Sequence, residues 1–102
     1  MPIYVHTTLE VRAAGKAKFV ATMKDIVRIM EDAGWKLLGA FEQRTGRFHT
    51  FIDLWELRDM NHYQEGLDEC FRHPRIDEIV SALAETIETE TVVFASKAEF
   101  AH

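Results

Sequence analysis

The most informative segment is Phe48-His49-Thr50-Phe51-Ile52-Asp53-Leu54-Trp55-Glu56-Leu57, because it indicates a β-strand that is apolar on both sides. Its odd-numbered positions are His49, Phe51, Asp53, Trp55 and Leu57. Its even-numbered positions are Phe48, Thr50, Ile52, Leu54 and Glu56. An antiparallel strand with one solvated face is normally polar at alternate positions.

This double-sided strand predicts a partner for the chain. Two helices can cover only one face of a sheet, and an uncovered apolar patch is a liability in a monomer. A second copy packed sheet to sheet about a two-fold axis would cover the other face, so we expect a homodimer. The alternative is that the helices and the C-terminal tail wrap both sides of the sheet.

Composition limits the remaining possibilities. The 102 residues, 47% hydrophobic and 28% charged, predict one globular domain spanning residues 1–102. The formal net charge of −5 gives no electrostatic basis for binding nucleic acid or an anionic membrane. The longest apolar run, 37–41, is far shorter than the ~20 residues of a membrane span.

The expected location is the cytoplasm. The N-terminal residues 1–6 lack the charged and long apolar regions of a signal peptide. The lone Cys70 excludes an intrachain disulfide and a cysteine-built zinc site, and it suits a reducing compartment. Its place on the apolar face of a predicted helix favours an inert thiol.

Other elements follow on either side of the central strand. Alternation over 3–11 predicts a first strand, and apolar residues every three or four positions over 16–33 predict a helix ended by Gly34. Runs 35–44 and 48–57 predict a hairpin around Thr45-Gly46-Arg47. A helix capped by Asp59 or Asn61, a fresh helix with Pro74 in its first turn and a strand over 90–97 complete the chain.

The order β-α-β-β-α-β, with a broken second helix, predicts an α+β ferredoxin-like sandwich. Its sheet would be four-stranded and antiparallel in the order 4-1-3-2, with the helices on one face.

Three segments resemble the NIPSNAP family. Leu9 to Lys16 is similar to the family's junction between first strand and helix, with Ala14-Gly15 where that family has prolyl-glycine. Gly34 to Phe41 with Thr45-Gly46 resembles its second strand and turn, and Leu54-Trp55-Glu56 resembles its third strand. The resemblance covers roughly residues 3–97 and implies a homodimeric α+β barrel. It implies little about activity, since the superfamily includes cofactor-free oxygenases, cyclases, isomerases and haem-degrading enzymes.

Two histidines on neighbouring central strands, His6 and His49, are the first candidates for chemistry. An imidazole within an apolar sheet face needs a hydrogen-bond partner, and a neutral histidine can accept a proton near neutral pH. In cofactor-free cyclases of this fold, histidines at similar places line a cavity between sheet and helices. We therefore expect His49 to act as acid or base and Asp53 to fix a histidine tautomer, unless both histidines are only structural.

The substrate-binding residues expected to complete this pocket come from both layers. Tyr4, His6 and Thr8 would share one face of the sheet with His49, Asp53 and Trp55. Phe19, Met23 and Tyr63 would close the pocket from the helices. The predicted ligand is an apolar carbonyl or aromatic compound, handled with no metal and no cofactor.

Two other functions stay open. In haem-degrading members of the superfamily an axial histidine follows an aromatic residue on the broken second helix, which Tyr63 and His73 imitate loosely, with Trp55 upstream. The first-strand asparagine of those enzymes is absent here. The other alternative is a non-catalytic ligand-binding or interaction dimer. His62, near a helix start, and Glu90, grouped with Glu85 and Glu88, are expected to be solvated.

Overall fold

The computed structural model describes residues 1–101, so the last residue of the predicted domain, His102, lies outside the described residues. The strands are β1 (Ile3–Val11), β2 (Lys36–Glu42), β3 (Thr50–Leu57) and β4 (Ile87–Ala95). The helices are α1 (Lys16–Asp32), α2 (Met60–Phe71) and α3 (Ile76–Thr86), with a short 3-10 turn at Ala13–Gly15 before α1.

The four strands form one antiparallel sheet in the order β2-β3-β1-β4. This is the predicted 4-1-3-2 order, and the α+β ferredoxin-like arrangement is confirmed. The predicted second helix is interrupted, as expected, but Pro74 lies in the connection and α3 begins two residues later at Ile76.

A capping side chain and a glycine mark two helix boundaries at the positions that the sequence predicts. The Asp59 side chain accepts a hydrogen bond of 3.0 Å from the backbone N–H of His62, which caps α2. Gly34 follows α1 with a φ of 93°, the left-handed conformation that glycine adopts without a steric penalty.

Two strand boundaries differ from the prediction. β3 begins at Thr50 rather than at residue 48, because His49 has a φ of 61° and cannot continue an extended strand. β4 begins at Ile87, directly after α3, rather than at residue 90. The hairpin connection is therefore longer than the predicted three-residue turn, and β2 also carries a register shift between Leu37 and Gly39.

The helices cover one face of the sheet, which we call the covered face. It carries the odd-numbered residues of β1 and β3, since Val5 is opposite Trp55 and Leu9 is opposite Phe51. These side chains form two core clusters with the helices, around Met30 and Phe19. The other side, the open face, carries the even-numbered residues of the same strands and has no helix over it among the described residues.

Candidate functional site

An aromatic cluster forms one wall between the covered face and α2. The Trp35 ring lies 5.6 Å from Trp55 in an edge-on arrangement and stacks on Tyr63 at 5.4 Å. The Trp35 indole N–H donates a hydrogen bond of 3.0 Å to the backbone carbonyl of His62. Gly66 makes this contact possible, because a Cβ at that position would lie 2.3 Å from the indole nitrogen. The cluster is therefore held rigidly.

Beside this wall lies a cavity of about 290 Å³, bordered by the covered face and all three helices and partly open to solvent. Most of its lining is aliphatic or aromatic. The exceptions are one hydroxyl on β1, one carboxyl each on β3 and β4, and one phenol on α2: Thr7, Asp53, Glu90 and Tyr63. Within the described chain, no Lys, Arg or His lines the cavity. We call this space the cavity; it is apolar with a few acidic and hydroxyl groups, the character expected of a small-molecule site.

Asp53 is the most unusual group in the cavity. It lies directly opposite Thr7 in the β1–β3 ladder and is only 7% exposed. Burial raises the pKa of its carboxyl above the ordinary value of 3.8, and the negative charge of Glu90 adds to the rise. The neighbouring Trp55 and His6 side chains act in the opposite direction on this pKa. A carboxyl with a raised pKa is a stronger base once it ionises.

Two further groups in the wall stay protonated at neutral pH. Burial, followed by the charge of Glu90, raises the pKa of the Tyr63 phenol. Burial also raises the pKa of the Cys70 thiol, which lies in the same wall. The cavity thus combines hydroxyl donors with one buried carboxyl, and the thiol is inert, as the sequence predicts.

Several of the predicted ligand-binding residues meet in this space. Trp55, Tyr63, Met23 and Asp53 all line the cavity. Phe19 does not, because it packs on Phe51 at 4.9 Å and belongs to the neighbouring core cluster.

His6, Tyr4 and Thr8 are not in the cavity, and the prediction that they share a face with Asp53 and Trp55 is wrong. In the β1–β3 register His6 lies opposite Leu54 and Thr8 opposite Ile52, so their side chains project from the open face. Asp53 is opposite Thr7 and projects to the covered face. Neighbouring residues of a strand point to opposite sides of the sheet, which places these groups a full sheet apart.

His49 is also outside the cavity, which is a second correction. It precedes β3 in a left-handed conformation, and its backbone carbonyl accepts a hydrogen bond from the Val11 N–H. It lies near Glu42, a carboxyl whose pKa is lowered chiefly by its hydrogen bond with Lys16 at 2.6 Å. Its buried Nδ1 has no hydrogen-bond partner among residues 1–101. With neither His6 nor His49 in the cavity, Asp53 has no histidine there whose tautomer it could fix.

The haem alternative depended on His73, which lies elsewhere. His73 lines a polar hollow between α1 and the connection that joins α2 to α3, together with Arg28 and Arg72. Its Nδ1 accepts a hydrogen bond of 3.1 Å from the backbone N–H of Arg75. The residues do not fit a haem held by His73 against Tyr63 and Trp55, because those two aromatic residues line the cavity and His73 does not.

Sequence reasoning also missed a structural histidine. His62 is 6% exposed rather than solvated. Its Nδ1 accepts from the Arg58 N–H at 3.0 Å, and its Nε2 lies 2.8 Å from the Ala33 carbonyl, so Nε2 carries the proton in this arrangement. His62 therefore joins the start of α2 to the end of α1. Its position three residues after the capping Asp59 was the available signal.

Thr7 and Glu90 were missed as cavity residues. Thr7 belongs to the apolar side of β1 by alternation alone, so a polar residue there was a usable signal. Glu90 is exposed, as expected, but it lies in β4 opposite Leu9 rather than at a helix end. Predicting that Glu90 lies in the sheet would have required knowing that β4 begins at Ile87.

These features define an α+β domain of ferredoxin-like topology with a largely apolar, partly open cavity between its two layers. None of the helices within residues 1–101 has both the length and the apolarity to cross a membrane. A family model described as NIPSNAP matches residues 4–102. The chain belongs to the NIPSNAP family.

Solved structures share this fold at low identity. An uncharacterized NIPSNAP domain protein from Burkholderia xenovorans is 18% identical with a TM-score of 0.79, over 100% of this chain and 99% of that one. A NIPSNAP family protein from Agrobacterium tumefaciens is 15% identical with a TM-score of 0.84, over 98% and 96%. SnoaB from Streptomyces nogalater, a cofactor-independent oxygenase, is 10% identical with a TM-score of 0.70, over 96% and 94%. No curated protein matches the sequence.

Proposed function

We propose that this NIPSNAP protein binds a small apolar carbonyl or aromatic compound in the cavity and performs acid–base chemistry on it without a cofactor. The observation that supports this most is Asp53, a buried carboxyl with a raised pKa facing an otherwise apolar space. Groups with such perturbed pKa values in a cleft are typical of functional sites.

The proposed step is removal of a proton from the carbon next to a carbonyl group. Asp53, in its ionised form, takes this proton, and the electron pair left behind moves onto the carbonyl oxygen. The Tyr63 and Thr7 hydroxyls, which line the same cavity, donate hydrogen bonds to that oxygen. This step begins isomerisation, cyclisation and cofactor-independent oxygenation alike. The fold shared with SnoaB supports the proposal only by analogy.

The size of the cavity limits the ligand. At about 290 Å³ it lies at the small end of ligand pockets, which start near ~300 Å³. A compound of one or two fused rings therefore fits, and Trp35, Trp55 and Tyr63 offer flat apolar surfaces for it.

Hydrogen–deuterium exchange tests the proposed step. The probe is 2-tetralone, an apolar bicyclic ketone, followed in D₂O by NMR at the protons next to its carbonyl. We expect the protein to accelerate exchange over buffer and the Asp53→Asn variant to lose at least ~100-fold of that acceleration, the usual contribution of a general base. The control is Asp68→Asn, an exposed carboxyl in α2, which should keep the rate.

Two outcomes would contradict the proposal. Exchange no faster than buffer, with 2-tetralone bound, would favour the alternative of a non-catalytic binding protein. Exchange at the wild-type rate in Asp53→Asn, with the fold confirmed by circular dichroism, would place the base elsewhere.

We also propose that the open face joins two copies into a homodimer. Ile52 and Leu54 lie at its centre, Phe41 is opposite Ile52 and 63% exposed, and Val93 is 47% exposed on the far side of His6. A patch of this kind is typical of an interaction surface. A cytoplasmic location is part of the same proposal, supported by the free, buried Cys70.

Sedimentation velocity tests the dimer. Wild-type protein at micromolar concentration should sediment as two copies. Leu54→Lys places a charge at the centre of the open face and should yield a folded monomer, because a buried unpaired charge disfavours association. Ser81→Lys, which adds the same charge on the exposed surface of α3, should remain dimeric. A wild-type monomer at that concentration would contradict the proposal.

A further inference from the structure

A second concavity adjoins the cavity on the other side of Asp53. It is an open groove of about 460 Å³ between α1 and the half of the sheet nearest β2. Phe19, Val27 and Phe51 contribute to its apolar lining. We call it the α1 groove. Two side chains, Met23 and Asp53, line both the α1 groove and the cavity.

Met23 is suited to separate the two spaces reversibly. Its side chain is unbranched, has three rotatable bonds and is half-buried in α1. A methionine can change rotamer to open a passage, which a branched or aromatic side chain at the same place could not do as easily. The α1 groove therefore offers a route from solvent to the Asp53 carboxyl.

The charges of the two spaces differ. The cavity lining, within the described residues, includes carboxyls but no cation. The α1 groove has Lys24 and Arg28 at its edge, both exposed and one helical turn apart, with Glu31 one turn beyond Arg28. Among the ion pairs formed by residues 1–101, none involves Lys24 or Arg28. Two unpaired cations at the mouth of an apolar groove complement an anionic group.

We propose that the α1 groove is the entrance to the site and that the substrate is an apolar compound carrying one anionic group. Lys24 and Arg28 hold the anionic group at the mouth, while the apolar part passes Met23 and reaches Asp53. This inference rests on the proposed function, since it names the substrate class of the same cavity. The anionic group stays at the mouth of the α1 groove, because the carboxyls inside the cavity would repel it.

A pair of fluorescent probes tests the charge requirement. N-phenyl-1-naphthylamine is neutral, and 8-anilinonaphthalene-1-sulfonate has the same ring system with a sulfonate. The double variant Lys24→Gln/Arg28→Gln should weaken binding of the sulfonate about fivefold, the effect of two exposed ion contacts, and change binding of the neutral probe less than about twofold. The control, Arg44→Gln/Lys97→Gln, removes the same charge from exposed positions away from the groove and should change neither affinity.

Stopped-flow association of the neutral probe tests the role of Met23. Met23→Phe, which is bulkier and stiffer, should slow association several-fold, and Met23→Ala should accelerate it. Met60→Ala is the matched control, because Met60 is exposed at the start of α2 and lines neither the cavity nor the α1 groove. It should leave the association rate unchanged.

The outcomes separate this inference from the proposed function. If the neutral probe binds but the Lys24/Arg28 double variant leaves sulfonate affinity unchanged, the substrate class is wrong and the cavity proposal stands. If Met23→Phe and Met23→Ala both associate at the wild-type rate, the entrance is elsewhere. If neither probe binds to wild-type protein, the ligand-binding proposal fails together with this inference.

Discussion

The two faces of the sheet are built from the same strands, but a different kind of side chain is the exception on each face. The covered face is mostly apolar and borders the cavity, and its exception is the buried carboxyl of Asp53. The open face carries polar side chains from β1, and its exception is an apolar patch centred on Ile52 and Leu54 of β3. Each exception is unfavourable in an isolated chain. Under the proposals above, the covered face serves ligand chemistry and the open face serves association.

The difference depends on a one-residue alternation. Asp53 and Leu54 are neighbours in sequence, yet they lie on opposite faces because successive side chains of a strand alternate. A register shift by one residue would bury Leu54 and expose Asp53. We therefore interpret β3 as apolar on both sides for two reasons. The helices pack against one side, and a second copy of the chain is proposed to pack against the other.

The largest expected change in stability comes from substituting one of two glycines, Gly66 in α2 over the covered face or Gly39 in β2 opposite Leu54. Gly66→Ala should lower the free energy of unfolding by about 3 kcal/mol, because the new Cβ meets the Trp35 indole at 2.3 Å and that ring is stacked and hydrogen-bonded. Gly39→Ala should cost less than about 0.5 kcal/mol, since its Cβ meets only the exposed Phe41 ring, which can turn away. Urea denaturation measures both. Equal effects would contradict the rigid packing of the covered face.

A smaller effect concerns Asp53 and pH. Its folded-state pKa is raised, so the folded protein binds more protons than the unfolded chain as pH rises from the ordinary value of 3.8 to the folded-state pKa, and stability is lost across that window. Asp53→Asn lacks this loss. Its stability relative to wild type should therefore rise with pH through the window and then level off, as measured by thermal denaturation at a series of pH values. A constant difference between the two proteins would show that the carboxyl is not destabilised by burial.

The smallest effect concerns His49, which the sequence placed at the centre of the site. Its φ of 61° suits glycine and is unfavourable for a β-branched residue. His49→Gly should be more stable than His49→Val by about 1 to 2 kcal/mol, and both variants lose the unpaired Nδ1 equally. Neither should change binding of N-phenyl-1-naphthylamine, because His49 does not line the cavity. Loss of probe binding in both folded variants would return His49 to the site.

The sequence predicted the order of the elements and of the strands, because hydrophobic period, Gly34 and the Asp59 cap are local signals. It also named Asp53, Trp55 and Tyr63 as pocket residues, and all three line the cavity. It could not predict which side chains of β1 share a face of the sheet with which side chains of β3, since that depends on the pairing register. The hairpin between β2 and β3 is longer than its turn residues indicate, and the left-handed His49 shortens β3, so the histidines were assigned to the wrong surface.

The division of the sheet into a ligand-binding face and an association face is tested most directly by NMR of protein labelled at Ile, Leu and Val methyl groups. N-phenyl-1-naphthylamine is titrated into the wild-type protein. We predict that methyl resonances of the cavity residues Val5, Leu83 and Val92 shift, and that those of Ile52, Leu54 and Val93 on the open face do not. Shifts confined to the open-face methyl groups would contradict the account.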